Sequence, residues 1–338
     1  MKSSFSSTRN KKRVTEFSKE GNCSYKSFLP SSRCTQDSKM VDRISSLPDE
    51  LLSYILSFLP TKLAFTTTLL SKRWIPLCYS LPVLAFDYEV DKKYETKQDY
   101  ETFDCFCRFV DTLMLSRPST NQPLKSFHLN FFYGHPDTAF NVTKWLKAAK
   151  QHCVEEVHLS LGSHTLNPFI FISRTLVVLK LKRIDFSIDT SCVHLPLLKT
   201  LHLKHVGFRN RNDYINFLSS SAILHKLHAE HIYLRSEMHS DKNNIPEEGF
   251  KSLTLSNLVR ASISSMDALF NGIDTVEFLR ITKGFEDQEA SFIAIPLFRN
   301  LNHIEIVFCH RSFHCWDGIG ELLRHCPKLQ ILIIKKVC

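Results

Sequence analysis

Residues 176–203, LVVLKLKRIDFSIDTSCVHLPLLKTLHL, hold one six-residue phrase twice: LVVLKL at 176–181 and LKTLHL at 198–203, starting 22 residues apart. In both, the first, fourth and sixth positions are apolar and the fifth is a lysine or histidine. An extended chain turns successive side chains to opposite faces, so the fourth and sixth positions point one way and the fifth points the other. The phrase therefore reads as a short strand with one buried and one polar face. It returns as LKSFHL (124–129), VEEVHL (154–159), LHKLHA (224–229), LVRASI (258–263), VEFLRI (276–281), LNHIEI (301–306) and LQILII (329–334), and successive starts are separated by 30, 22, 22, 26, 34, 18, 25 and 28 residues.

Strands spaced near the mid-twenties leave room for one return segment each. That is the arrangement of a leucine-rich-repeat solenoid, in which every coil buries the apolar edge of its neighbour. The expected fold class is α/β: an irregular solenoid, a right-handed α/β coil with a parallel sheet. The intervals of 34 and 18 predict uneven coils, and LTL at 253–255 offers a second register for the sixth strand. A doubly wound sheet is the competing architecture for recurring strands. Glycine is scarce and no glycine-rich strand-to-helix loop follows any phrase, which argues against it. Ahead of the first phrase, YSLPVLAFD (79–87) leads into the charged stretch DYEVDKKYETKQDYETFD (87–104), expected to be an exposed connection. Phe103, Phe106, Phe109, Val110, Leu113 and Met114 then have helical spacing.

Residues 42–78, DRISSLPDELLSYILSFLPTKLAFTTTLLSKRWIPLC, follow a different rule. Pro48, Asp49 and Glu50 form a helix start, with a residue that lacks an N–H and two carboxylates at the positive end of the dipole. Leu51, Leu52, Ile55, Leu56, Phe58 and Leu59 place apolar side chains on more than one face. Pro60 stops that run; Thr61 is expected to cap a second helix reaching Leu69, and Ser71 a third carrying Lys72, Arg73 and Trp74. Pro76 removes a hydrogen bond from the third helix unless it lies in its first turn. The β-branched run Thr66, Thr67, Thr68 is poor helix material and predicts a short second helix. Three helices this short cannot bury so much leucine among themselves, so a partner is implied.

The strings ISSLPDELLSYILSFLPTK and LLSKRW, at this separation, are similar to the F-box of plant proteins that also carry leucine-rich repeats and an FBD-type C-terminal region. NVTKWLKAAKQHCVEEVHL, LNPFIFISRTLVVLKL and LPLLKTLHLKHVGF are similar in order to the repeat region of those proteins, and LLRHCPKLQILII (322–334) resembles the opening of the FBD region. The resemblance covers roughly residues 42–338. It implies a short three-helix F-box over 42–82, a linker and helix over 83–123, and a solenoid over 124–338 with a truncated FBD-like end from about 296. This chain departs from the family pattern in having Ile75, Pro76 and Thr66 where basic residues are common, and SSSAIL where a Cys-Pro is usual before the strand near 224.

The family docks its F-box on the Skp adaptor of a cullin-RING ubiquitin ligase. The resemblance therefore implies a helix-in-groove contact through Leu47, Pro48, Leu51, Ile55, Leu56, Leu59 and Trp74, with Trp74 as an anchor. The solenoid would hold an unknown target protein. His128, His158, Lys180, His202, Lys204, His228 and Arg280 occupy polar strand positions; they are either ordinary surface residues or the lining of a basic concave surface suited to an acidic or phosphorylated target. The expected function is a non-catalytic substrate-recognition subunit of an SCF-type (Skp-cullin-F-box) ligase. The alternative is a repeat scaffold or nucleic-acid binder with a degenerate F-box, and a small-molecule receptor is a third reading.

Charge and composition restrict the partners. Of the net charge of +9, residues 1–43 supply ten Lys or Arg against four acids. Residues 1–41 thus read as a disordered basic tail, and nucleic acid is not expected as a partner of the folded part. Lys11, Lys12 and Arg13 are a short basic cluster with two readings, a solvated tail or a nuclear-import signal. No apolar stretch suggests a signal peptide or a membrane span, and the expected location is nucleus or cytoplasm. Eleven cysteines without a CxxC pair fit free thiols. No catalytic motif such as GxSxG, GxxxxGK[ST] or HExxH occurs, and no cofactor is expected. The densest metal-capable group, His303, Cys309, His310, His314 and Cys315, matches none of the common paired-ligand spacings, so no metal is expected either.

Overall fold

The computed structural model describes residues 43–88, 97–118, 123–131, 138–235, 253, 255–264, 272–283, 295–309 and 316–337. The expected N-terminal tail, and His310, His314 and Cys315, lie outside these residues. Residues 47–338 make one compact unit, described below; residues 1–46 make another, in which the Ser46 hydroxyl donates to the Arg43 carbonyl at 2.8 Å.

The F-box segment forms α1 (Asp49–Ser57), α2 (Thr61–Thr66) with a 3-10 turn at Thr67–Leu69, and α3 (Trp74–Tyr79). Pro48 is the N-cap of α1, one position ahead of its first helical residue, with Asp49 and Glu50 in the first turn. The threonine run acts as expected and by a visible mechanism. The hydroxyls of Thr66, Thr67 and Thr68 each donate to the carbonyl three residues earlier at 2.7 Å, and there the helix tightens into the 3-10 turn. Pro76 is the third residue of α3, where its missing N–H would have had no intrahelical partner. Neither expected cap forms: α3 starts at Trp74 without a side-chain cap, and α2 is preceded by Pro60.

Ten strands follow in chain order as one parallel sheet. They are β1 (Val83–Tyr88), β2 (Ser126–Phe131), β3 (Glu156–Thr165), β4 (Val178–Phe186), β5 (Thr200–Phe208), β6 (Lys226–Leu234), β7 (Arg260–Ile263), β8 (Phe278–Lys283), β9 (His303–Cys309) and β10 (Ile331–Val337). Each of the nine phrases becomes a strand that starts at the phrase's third residue. LTL at 253–255 does not shift the register; Leu253 and Leu255 are buried before β7 begins. The sheet starts earlier than expected, because β1 lies inside the segment read as a linker. LPVLAF (81–86) obeys the same rule, with Leu81, Leu84 and Phe86 all buried.

The return segments include α4 (Lys97–Leu115), α5 (Thr138–Gln151), α6 (Arg211–Ser219) and α7 (Trp316–Arg324). Fourth- and sixth-position side chains from β2 to β9, Leu179, Leu181, Leu201 and Leu203 among them, are at most 3% exposed. Second-position backbone groups bond from coil to coil: Val177 N–H to Glu155 O (2.7 Å), Lys199 to Val177 (2.9 Å), His225 to Lys199 (2.9 Å) and Val259 to His225 (3.0 Å). At β10, which has one neighbouring strand, Leu332 and Ile334 are 40% and 43% exposed.

Arg183, His205 and His231 stand side by side in β4, β5 and β6 with φ near +50°, a left-handed bulge that advances the alternation by one residue. Beyond it Gly207 is flanked by Asp185 and Tyr233. A Cβ on Gly207 would lie 1.9 Å from Asp185 Oδ1, so glycine leaves room for the Asp185 carboxylate, which pairs with Arg235 at 3.1 Å.

The helical segment is joined to the first coil by polar and aromatic contacts. Thr61, expected as a cap, is buried instead, and its hydroxyl accepts the Ala85 N–H of β1 at 2.8 Å. Arg117 donates to the Leu81 carbonyl at 2.8 Å, and Phe109 of α4 lies edge-on to Phe65 at 5.2 Å and to Phe86 at 5.6 Å. Replacing Thr61 by valine keeps the shape but leaves the Ala85 N–H without its acceptor. The expected result is a loss of about 1–3 kcal/mol of stability, read as a lower midpoint of denaturant unfolding.

Candidate interaction surfaces

Two surfaces carry the residues singled out in the sequence. The first is on α1 to α3. Helix α1 is apolar on both sides: Leu52 and Leu56 face inward with no exposure, while Leu51, Tyr54, Ile55 and Phe58 face outward at 48%, 62%, 44% and 68%. Tyr54 and Phe58 pack edge-to-face at 4.8 Å on this outer side. Leu63, Leu69, Leu70 and Ile75, not picked out as contact residues in the sequence, are also exposed. The spacing of Leu51, Tyr54, Ile55 and Phe58 would have revealed an outer stripe had it been separated from the inner one.

Of the seven expected contact residues, Leu51, Ile55 and Leu59 lie exposed, Pro48 is exposed at the N-cap, and Leu47 is half-buried. Leu56 and Trp74 lie in the interior. Trp74 is 9% exposed and belongs to the core with Leu52, Leu56, Ala64, Leu77 and Cys78. So small a core needs its largest ring inside. Arg73 joins the starts of α1 and α3, with its guanidinium on Asp49 at 2.6 Å and on the Leu47 carbonyl at 2.6 Å. Burial raises the Cys78 thiol pKa, and its Sγ–H donates to Ala64 O.

The second surface is the sheet face opposite the leucines. Six of the seven residues assigned to target binding fall in one row across it: His128, His158, Lys180, His202 and His228 on adjacent strands β2 to β6, then Arg280 on β8 after Ser262. Lys204 lies two residues along β5 on the same face. Parallel in-register pairing thus turns a repeated fifth position into a stack. The His128 and His158 rings are 3.9 Å apart, those of His202 and His228 5.1 Å, and outside the row His205 and His231 stack at 4.5 Å.

Stacking shields the rings from water, and the expected basic face is much weakened for that reason. Burial first, then the neighbouring cations and imidazoles, pushes His158 and His202 down to about 4. His128 is lowered by burial against the pull of Glu156. His158 and His202 are uncharged near neutral pH. Lys204 pairs with Glu230 at 2.7 Å, and Arg280 approaches Glu305 at 3.8 Å with Lys335 on the same carboxylate. Burial alone would raise the Glu230 pKa, but Lys204 and His228 together hold it below the usual value. Lys180, Lys182, Lys226 and Arg260 carry the positive charge that remains; Arg260 lies over the Phe278 ring at 5.1 Å.

One group escaped the sequence reading. His128, Glu156 and His158 each offer a metal-ligand atom, all within 4.8 Å of one another. His128 comes from β2 and the other two from β3, 28 and 30 residues further along the chain, so no local spacing signals the three together. Of the group expected at 303–315, His303 lies in β9 beside the Phe278 ring of β8 at 4.8 Å. Among the described residues no helix is long and apolar enough to cross a membrane.

The lowered His158 and His202 pKa values have a definite sign in stability. A histidine whose folded pKa lies below the unfolded value of about 6.5 favours folding fully above that value, and the contribution is lost as pH falls toward about 4. The melting temperature is therefore expected to fall by a few degrees between pH 7 and pH 4.5. A His202→Gln variant should show a shallower fall, measured by thermal circular dichroism across that range.

Comparison with known proteins places these two surfaces in one family. The F-box domain family matches residues 44–85, which span α1 to α3 and the start of β1. A putative F-box/LRR-repeat protein of Arabidopsis thaliana is 30% identical over 363 residues, covering 88% of this chain and 78% of that protein. A second F-box/LRR-repeat protein of the same plant is 29% identical over 88% of this chain and 94% of its own length, and a third, putative one is 33% identical over 68% of this chain but only 44% of its own length. With the helical segment, the ten-stranded sheet and these likenesses in agreement, the chain belongs to the F-box/LRR-repeat protein family.

Proposed function

We propose that this chain is the substrate-recognition subunit of an SCF-type ubiquitin ligase: α1 to α3 dock on a Skp adaptor and, through it, on a cullin-RING ligase, while the open sheet face holds a target protein. The reading rests above all on the outer side of α1. Leu51, Tyr54, Ile55 and Phe58 are a contiguous apolar stripe over a core already filled by Leu52, Leu56 and Trp74, and an apolar helix face left in water is an interface awaiting a groove. Because Thr61, Arg117 and Phe109 join this segment to the first coil, adaptor and target would be held at a set separation. Tethering would raise the effective concentration of target at the ligase, with no chemistry required of this chain. The reading carries a nuclear or cytoplasmic location with it. The segment from about 296, with LLRHCPKLQILII, is read as the opening of an FBD-type end; β9 and β10 lie within it and continue the same sheet.

Co-purification of the full chain with the Skp adaptor tests the docking. The wild type is expected to bind in a one-to-one complex, and Leu51→Glu with Ile55→Glu to abolish it while leaving circular dichroism and melting unchanged, because both side chains are exposed. Trp74→Ala is expected to destabilise the protein by about 3–5 kcal/mol and to lose the adaptor through unfolding. Absence of a complex with the wild type would overturn the reading.

A further inference from the structure

We propose that His128, Glu156 and His158 form a binding site for a divalent transition-metal ion of the zinc type on the open face of the sheet. The two imidazoles come from adjacent in-register residues of β2 and β3, and the carboxylate lies two residues before His158 on the same face of β3. Their ligand atoms lie within 4.8 Å of one another. Ligands about 2.0–2.1 Å from a tetrahedral ion are about 3.3 Å apart, so small side-chain rotations close the set. Two imidazoles and one carboxylate are ligands that zinc and its neighbours in the first transition row accept, and a fourth position stays open to water or to a donor atom of a bound protein.

Two features outside the spacing support the assignment. His158 Nε2 is buried without a hydrogen-bond partner, a costly state that a bound cation removes. The Ser126 hydroxyl lies 2.7 Å from His128 Nε2 and 3.4 Å from Glu156 Oε2, between two of the three ligands, where it can orient both. Lys180, in register with His158, opposes a cation; Glu156 and Asp87 act on His128 in the other direction, and the lysine stem is long enough to turn its ammonium aside.

Calorimetric titration of the full, metal-stripped chain with zinc chloride, and with cobalt chloride followed by visible absorption, tests the site. One ion per chain is expected at low micromolar concentration or below, with cobalt giving d–d bands and no thiolate charge-transfer band. His158→Gln and Glu156→Gln should each weaken binding at least about tenfold, with metal-free circular dichroism and melting retained. His202→Gln, two strands away in the same row, should leave it unchanged. Absence of saturable binding would overturn the proposal. So would binding that survives both substitutions or that carries thiolate bands, since the ion would then sit on cysteines elsewhere. The readout is independent of adaptor docking, so either proposal can fail alone.

Discussion

Every coil of this protein is held by the coil before it. The backbone bonds that pass from Glu155 to Val177, Lys199, His225 and Val259 require each strand to pair with its predecessor, and the leucines two and four residues further on fill the space that this pairing encloses. Such a stack has few contacts between distant coils, so its order propagates from neighbour to neighbour and its ends are its weak points. In β10, which among the described residues pairs with β9 alone, Leu332 and Ile334 keep the same pattern while partly open to water. At the N-terminal end the problem is met by the F-box. Phe109 packs on Phe65 of α2 and on Phe86 of β1, and the Thr61 hydroxyl takes up the Ala85 N–H.

This arrangement gives the F-box two tasks. Its inner side is buried through Leu52, Leu56, Ala64 and Trp74 while Thr61 and Phe65 tie it to the first coil; its outer side keeps Leu51, Tyr54, Ile55 and Phe58 in water. A six-residue helix has little stability alone, and here α2 gains it from the strand and helix it touches. The threonine hydroxyls that bond back to Leu63, Ala64 and Phe65 shorten the helix and turn the chain toward α3, so a run of poor helix formers fits the place it occupies.

On the other face, repetition acts on chemistry instead of packing. A histidine placed once per repeat is a surface residue in any single strand. Placed in register on neighbouring strands it meets its own kind across the short distance between them and loses water, and for His158 and His202 that loss of water lowers the pKa to about 4. The face is therefore one of stacked rings, with His158 and His202 uncharged among them, edged by ion pairs to Glu230 and Glu305, and less the basic groove that counting lysines and histidines suggests.

The amino-acid sequence alone settles the strands, since a strand needs only its alternation and each phrase carries it, LPVLAF at 81–86 included. It determined the helix limits at Pro48 and Pro60 and the shortness of α2, because proline geometry and β-branching are local. Only the tertiary structure decided which leucines are inside, because an apolar-all-round helix has no preferred side until something covers it; hence Trp74 went to the core and Tyr54 to the surface. Register is equally non-local. It brought His128 beside His158, placed Asp185 over Gly207, and turned Thr61 from a cap into the tie between two parts of the molecule. Each of these depends on distances between residues far apart in the chain, and the pairing of strands is what sets those distances.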